Sequence, residues 1–213
     1  MTAILRHLFF VAVVRPLALV VLGLNVRHRE RLPRAGPAII VANHNSHLDT
    51  LVLMTLFPLR LLPRLRPVAA ADYFLRTKFL AWFAREIIGI VPLSRAAPAD
   101  GGDPLEACGE ALGRGDILIL FPEGTRGEPE RLGRFKSGVA RLAGRHPEAP
   151  VVPVFLHGLG KALPRGESLL VPFFADVFVG EPIPWTGDRA AFMAELDRRM
   201  RDLAAEGRFP PWE

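Results

Sequence analysis

Short apolar runs punctuate this chain at intervals that leave room for a helix between them. Ala38-Ile39-Ile40-Val41-Ala42 and Asp116-Ile117-Leu118-Ile119-Leu120-Phe121 are rich in β-branched residues, show no alternation and stop abruptly at polar positions. That is the pattern of strands buried on both faces. Pro67 to Ala71, Gly89 to Leu93, Val151 to Phe155 and Leu169 to Val179 read as further strands, the last with Pro172 as a breaker. Leu48 to Phe57, Tyr73 to Ile88, Pro104 to Leu112 and Lys136 to Arg145 read as helices, and Gly113 reads as the C-cap of the third. Phe192, Leu196, Met200 and Leu203 share one face of a C-terminal helix. Strands alternating with helices predict a single α/β domain, with a largely parallel central sheet flanked by helices.

The N-terminal stretch breaks this rhythm. Leu8 to Leu24 is strongly apolar, Arg15-Pro16 interrupts it, and its length is marginal against the roughly 20 residues that span a bilayer. Leu8-Phe9-Phe10 and Leu17 to Leu22 leave no polar face for a soluble helix. The expectation is a membrane-associating helix within residues 1–24 that lies on or dips into the bilayer, ahead of a folded domain over 25–213. A signal peptide, with Arg6 as its n-region and Leu8 to Val14 as its h-region, and a core helix broken at Pro16 are the alternatives, although no small-x-small cleavage site follows cleanly. Arg27-His28-Arg29, Arg31 and Arg34 come directly after the apolar run, which favours the cytoplasmic face of a membrane with anionic headgroups.

Charge supports an anionic partner without naming it. The chain carries a net charge of +5 and a pI near 10.3, almost all of it from Arg, since Lys occurs only at 78, 136 and 161. Such a surface favours anionic lipid, phosphorylated substrates or nucleic acid. Nothing resembles a zinc finger, a basic zipper or an aromatic-studded reading strand, so nucleic acid is set aside. Cys108 is the single cysteine, which excludes a disulfide framework and a CxxC site.

Chemistry concentrates where strands end. Asn43-His44-Asn45-Ser46-His47-Leu48-Asp49 follows the first buried run and sets an imidazole and a carboxylate five residues apart. Five residues correspond to about 140° around a helix. His44 therefore belongs in the turn, with Asp49 reaching back from the first helical turn. Asp49 could hold one ring nitrogen while the other takes a proton from a hydroxyl. Alternatively, Asp49 and Ser46 cap the helix and His44 is an ordinary turn residue. A metal held by His44, His47 and Asp49 is a third reading, but the spacing matches no familiar zinc pattern.

Phe121-Pro122-Glu123-Gly124-Thr125-Arg126 ends the second buried run, where Glu123 and Arg126 could bracket a polar ligand around the turn that Gly124 permits. Ser94-Arg95 ends a third and offers another phosphate ligand. Three such strand ends would converge on one edge of the sheet. Gly133 to Ser137 fails as a P-loop because Phe135 precedes Lys136, and no G-x-S-x-G elbow exists, so Ser46 is no nucleophile candidate.

Together these blocks resemble the glycerolipid acyltransferase family, the 1-acylglycerol-3-phosphate acyltransferase group. Its H-x4-D motif corresponds to His44 and Asp49, its F-P-E-G-T-R block to Phe121 to Arg126, its F-K-x-G to Phe135 to Gly138, and its V-P-V to Val152-Pro153-Val154. The G-x-x-x-I-D-R block is partly kept in Gly89 to Arg95, with Ser94 in place of Asp, and Ala71-Asp72-Tyr73 stands where a Lys is frequent.

The resemblance implies that His44 deprotonates an acceptor hydroxyl, which attacks the thioester of acyl-CoA or acyl-carrier protein, and that Asp49 orients His44. It implies that Arg95, Glu123, Gly124, Thr125 and Arg126 hold the acceptor's polar head, that Pro153 shapes the acyl-donor side, and that no metal or cofactor is required. The implied acceptor is a lysophospholipid, most simply 1-acylglycerol-3-phosphate, in phospholipid biosynthesis at the membrane. Glycerol-3-phosphate, a lyso-aminolipid or a catalytically silent lipid-binding role are the alternatives. Leu51 to Leu62 and Phe79 to Phe83 are candidates for an acyl groove or for plain core.

Overall fold

The computed structural model describes residues 2–46, 48–74, 77–94, 102–127, 132–162 and 174–209. Seven strands, β1 (Leu24–Arg27), β2 (Ala38–Ala42), β3 (Leu65–Ala70), β4 (Val91–Leu93), β5 (Ile117–Leu120), β6 (Val151–His157) and β7 (Ala175–Val179), form one sheet in the order β1-β7-β6-β2-β5-β3-β4. Every pairing is parallel except β6 with β7, so β1 and β7 run against the other five. Helices are α1 (Thr2–Phe9), α2 (Leu48–Thr55), α3 (Ala71–Phe74), α4 (Lys78–Trp82), α5 (Glu106–Gly113), α6 (Gly138–Arg145), α7 (Leu159–Ala162) and α8 (Arg189–Glu206).

The central strand is apolar throughout because both of its faces are covered. Ala38, Ile40 and Ala42 of β2 pack with the N-terminal helix and α2, whereas Ile39 and Val41 pack with α5, α6 and α8. The largely parallel α/β sheet read from the sequence is therefore present, and parallel order brings the C-terminal ends of β2, β5 and β6 to one edge.

Three local readings differ. β1 was not anticipated, since Asn25 and Arg27 are exposed on an edge strand and leave no apolar signature. α5 ends at Gly113 as read, but the glycine that closes it is Gly115, two residues later. Gly115 takes φ 74°, its N–H bonds Leu112 O, and Asp116 N–H bonds Ala111 O, which is a Schellman closure around Gly115. Of the Leu169 to Val179 strand, β7 accounts for Ala175–Val179, and Pro172 lies outside the described residues.

The N-terminal segment forms the expected apolar helix. Arg15-Pro16 interrupts the apolar run but not the helix, which continues through Thr2–Val20. After α1 come two π-helical stretches, Phe10–Val14 and Leu17–Val21, with Pro16 between them in helical geometry. Wider turns shift the hydrogen bonds to the fifth residue back and relieve the clash of the proline ring with the carbonyl four residues before it. They also explain the burial pattern. Arg6, Phe10, Val14, Ala18 and Leu22 are buried at a strict spacing of four, a stripe that would drift by about 40° per step on a regular α-helix. The π turns hold that stripe against the sheet. Arg6 anchors one end, donating to Leu65 O and Ile88 O at 3.0 Å each.

The opposite side of this helix faces outward. Ile4, Leu5, Leu8, Val11, Val13, Leu19 and Val20 are exposed, and Phe79 and Trp82 of α4 extend the same apolar surface through Phe83, which meets Phe9 edge-on at 5.4 Å. Only 22% of the apolar stretch is buried, which separates it from a core helix. By contrast, Val52, Leu53, Met54, Leu56 and Phe57 sit in the interior, so that part of the candidate acyl groove is core.

Candidate functional site

The site begins where β2 stops. Asn43 is buried and its side-chain amide continues the sheet ladder, donating from Nδ2 to Leu156 O at 2.8 Å and accepting from Leu156 N–H at 2.7 Å. With the side chain in the ladder, the main chain is released to turn. His44 follows, and its backbone carbonyl accepts from Gly127 N–H at 2.9 Å, which joins the turn to the loop after β5.

His44 and Asp49 meet. Nδ1–H donates to Asp49 Oδ2 at 2.9 Å, with the carboxylate fully buried and the imidazole 20% exposed. The same Oδ2 accepts from Asn45 N–H at 2.7 Å and Ser46 N–H at 2.8 Å. Asp49 thus organises the turn before α2 and orients the ring at once, so capping and orienting are two effects of one oxygen. An acceptor-only carboxylate at Nδ1 fixes the tautomer and leaves Nε2 with its lone pair. The imidazole also stacks on Phe121, with ring centroids 4.1 Å apart and planes 21° from parallel.

The loop after β5 closes the other side. Gly124 takes φ 74°, its N–H bonds Phe121 O at 3.0 Å, and a β-carbon there would fall 2.5 Å from Lys136 Nζ. Glycine suits that left-handed backbone, and it lets the Lys136 side chain lie directly over the turn. Thr125 is exposed and Arg126 half-buried, and neither side chain forms a hydrogen bond with another described residue. Ser94 is exposed at the end of β4, and Arg95 lies outside the described residues. Pro153 lies within β6 opposite Val41, with its ring beside Gly180. Gly180 N–H bonds Pro153 O at 2.8 Å, and proline offers no N–H in return, so the β6–β7 ladder stops there.

Glu123 is buried next to this pair. Gly133 N–H donates to its Oε1 at 3.3 Å, and Oε2 has no hydrogen-bond partner among the described residues. Burial pushes the carboxyl above its ordinary value of 4.5, against the pull of the Gly133 N–H and the His44 imidazole, and Asp49 adds to the upward push. An acid raised in this way holds its proton more tightly in the native state, so the stability it contributes is full below its unfolded value and lost as pH rises through the folded one. Glu123→Gln removes that titration. The melting temperature of the variant relative to wild type should climb as pH rises from 4.5 and then level off; a difference that is flat or shrinks with pH would contradict the burial argument.

Sequence reasoning missed Phe121 as the support of the imidazole, Lys136 as a cation over Gly124, and Asn43 as a ladder mimic. Their signals were present as a polar residue closing a fully apolar strand and as an F-K pair after the glycine loop. Among the described residues, no three His, Cys, Asp or Glu side chains gather as a metal-holding group, and His47 lies outside them.

The chain is similar to known proteins. The chain is 35% identical over 162 residues to the chloroplastic 1-acyl-sn-glycerol-3-phosphate acyltransferase of Arabidopsis thaliana, a match covering 75% of this chain and 43% of that protein. It thus spans less than half the length of that relative. It is 28% identical over 182 residues to the 1-acyl-sn-glycerol-3-phosphate acyltransferase of Pseudomonas aeruginosa, covering 85% of this chain and 67% of that one. The crystal structure of the 1-acyl-sn-glycerophosphate acyltransferase PlsC from Thermotoga maritima superposes with a TM-score of 0.77 at 20% identity, over 99% of this chain and 81% of that one, which establishes a common fold. The acyltransferase family pattern matches residues 23–157, the stretch holding His44, Asp49 and the Glu123 loop, and the chain belongs to that family.

Proposed function

We propose that this chain transfers a fatty acyl group from acyl-CoA or acyl-carrier protein to the free hydroxyl of a lysophospholipid, 1-acylglycerol-3-phosphate first among them. The observation that carries the reading is the 2.9 Å bond from His44 Nδ1 to a buried carboxylate, with Nε2 left to act. Nε2 takes the hydroxyl proton as the acceptor oxygen attacks the thioester carbonyl carbon. The tetrahedral intermediate collapses, the C–S bond breaks, and the leaving thiolate takes the proton back from the imidazolium. During this step Asp49 supplies the opposite charge and Phe121 an aromatic face to the cationic ring. The thioester is already activated, so no covalent enzyme intermediate is needed and positioning supplies much of the rate.

In this reading Arg126, Thr125, the Gly124 turn and Arg95 hold the acceptor's phosphate, with Lys136 as a further cation. Glu123 keeps the loop against His44. Pro153 acts only through the shape of β6. The exposed apolar side of the N-terminal helix rests on the cytoplasmic leaflet, which keeps the site where its acyl chains reside.

The test is an acceptor panel of 1-acylglycerol-3-phosphate, glycerol-3-phosphate, a lyso-aminolipid and a neutral monoacylglycerol, each with acyl-CoA and acyl-carrier protein, read by lipid mass spectrometry. Diacylated phosphatidate is the expected major product, and absence of any acylated product defeats the proposal. Arg126→Ala should raise KM for phosphorylated acceptors by roughly 10- to 100-fold, the range for losing a charge-assisted hydrogen bond, and barely change it for the neutral one. Equal losses across the panel would make Arg126 a structural residue.

A further inference from the structure

We propose that a second anion site lies at the far end of α2, a groove that binds the phosphate headgroup of an anionic membrane lipid which is not the substrate. This rests on the reading that the N-terminal helix lies on a membrane. The groove measures about 620 Å³, and Arg15, Arg29, Arg34 and Arg60 line it. Two of these are fixed in place. Arg29 donates to Leu56 O from Nε and Nη2 at 3.1 and 2.7 Å, and Arg15 donates to Phe57 O at 3.2 Å. The carbonyl end of α2, which would repel an anion, is therefore covered by two guanidinium groups that keep further N–H groups to donate.

Arg34 and Arg60 are exposed and make no hydrogen bond or ion pair with another described residue. Glu30 is the one acid of the lining, and it leans to His28 at 3.7 Å. Four guanidinium groups over apolar walls that include Phe57 and Leu59 match a phosphate carried on an acyl chain better than they match water.

Position selects the lipid. Arg15 shares a helix ridge with the exposed Val11 and Leu19, four residues to either side. A membrane resting on that apolar surface would bring its headgroups to the arginines. The groove cannot hold the acceptor of the reaction, because Asp49 and Leu56 stand at opposite ends of α2, about 10 Å apart along its axis at 1.5 Å per residue. The acceptor's own phosphate is only a few bonds from its reacting hydroxyl.

The experiment is vesicle flotation of the full chain on phosphatidylcholine, with or without phosphatidylglycerol. Wild type should bind the mixed vesicles more tightly than the neutral ones. The double variant Arg34→Gln/Arg60→Gln should lose about 30-fold on mixed vesicles, the equivalent of about 1 kcal/mol for each surface charge. It should keep wild-type binding to neutral vesicles and wild-type acyl transfer in neutral detergent micelles. Arg198→Gln/Arg201→Gln on α8 makes the same charge change on exposed residues and should stay close to wild type. The proposal fails if the groove variant floats like wild type, if the α8 control loses as much, or if sub-millimolar inorganic phosphate at constant ionic strength displaces wild type, which would mark a site for soluble phosphate. Failure of wild type to bind neutral vesicles would instead overturn the membrane reading itself.

Discussion

His44→Ala should remove acyl transfer almost entirely, by a factor of about 10² to 10⁴ in kcat as expected for loss of a positioned general base, with the fold and vesicle binding retained. The argument for a specific rather than a structural loss comes from what the ring touches. Its partners are one face of Phe121 and one carboxylate oxygen, and that oxygen keeps two backbone N–H donors after the ring is gone. The turn before α2 therefore survives. Far-ultraviolet circular dichroism and melting temperature should change little, while product formation in the lipid assay collapses. Turnover by the alanine variant equal to wild type would remove His44 from the chemistry. Collapse of activity together with the melting transition would assign it to the fold.

What was legible beforehand follows from which forces act locally. β2 and β5 were readable because burial on both faces demands an unbroken apolar run, and their polar ends stand out against it. His44 and Asp49 were readable as a pair because they lie only five positions apart. β1 was not, since an edge strand with exposed Asn25 and Arg27 is defined by its pairing with β7, about 150 residues away in the chain. The end of α5 was readable, but its capping glycine is Gly115 rather than Gly113, because two glycines lie close together and only Gly115 takes a positive φ. The N-terminal helix was readable from its apolar run, but its passage through Pro16 was not, because the rule for proline assumes a regular α-helix and here π turns on both sides accommodate the ring. Phe121 and Lys136 were visible as motif letters, but the contact of Phe121 with the ring arises only where the ends of β2 and β5 meet, and that of Lys136 with Gly124 only when the loop after β5 folds back on itself.

Asp49→Asn separates the two tasks that one oxygen performs. Three donors converge on Oδ2, from His44, Asn45 and Ser46, so the amide oxygen must occupy that position and the new NH₂ must take the place of Oδ1. Among the described residues Oδ1 is buried without a partner, so the introduced donor has no acceptor there, a loss of about 1 to 3 kcal/mol. The geometry survives at that expense, and Nδ1–H still finds an oxygen. What disappears is the negative charge beside the ring when it holds the hydroxyl proton. Acyl transfer should therefore fall steeply, on the order of 10² to 10⁴ in kcat, as in catalytic triads whose aspartate is neutralised, with KM for the acceptor little changed. Asparagine is as good a helix-capping residue as aspartate, so a purely capping Asp49 would tolerate the substitution with kcat intact. Measuring kcat and KM alongside the melting temperature distinguishes the outcomes: a small drop in stability with a collapse in kcat identifies Asp49 as the residue that orients and balances His44, and retained kcat would return it to the turn alone.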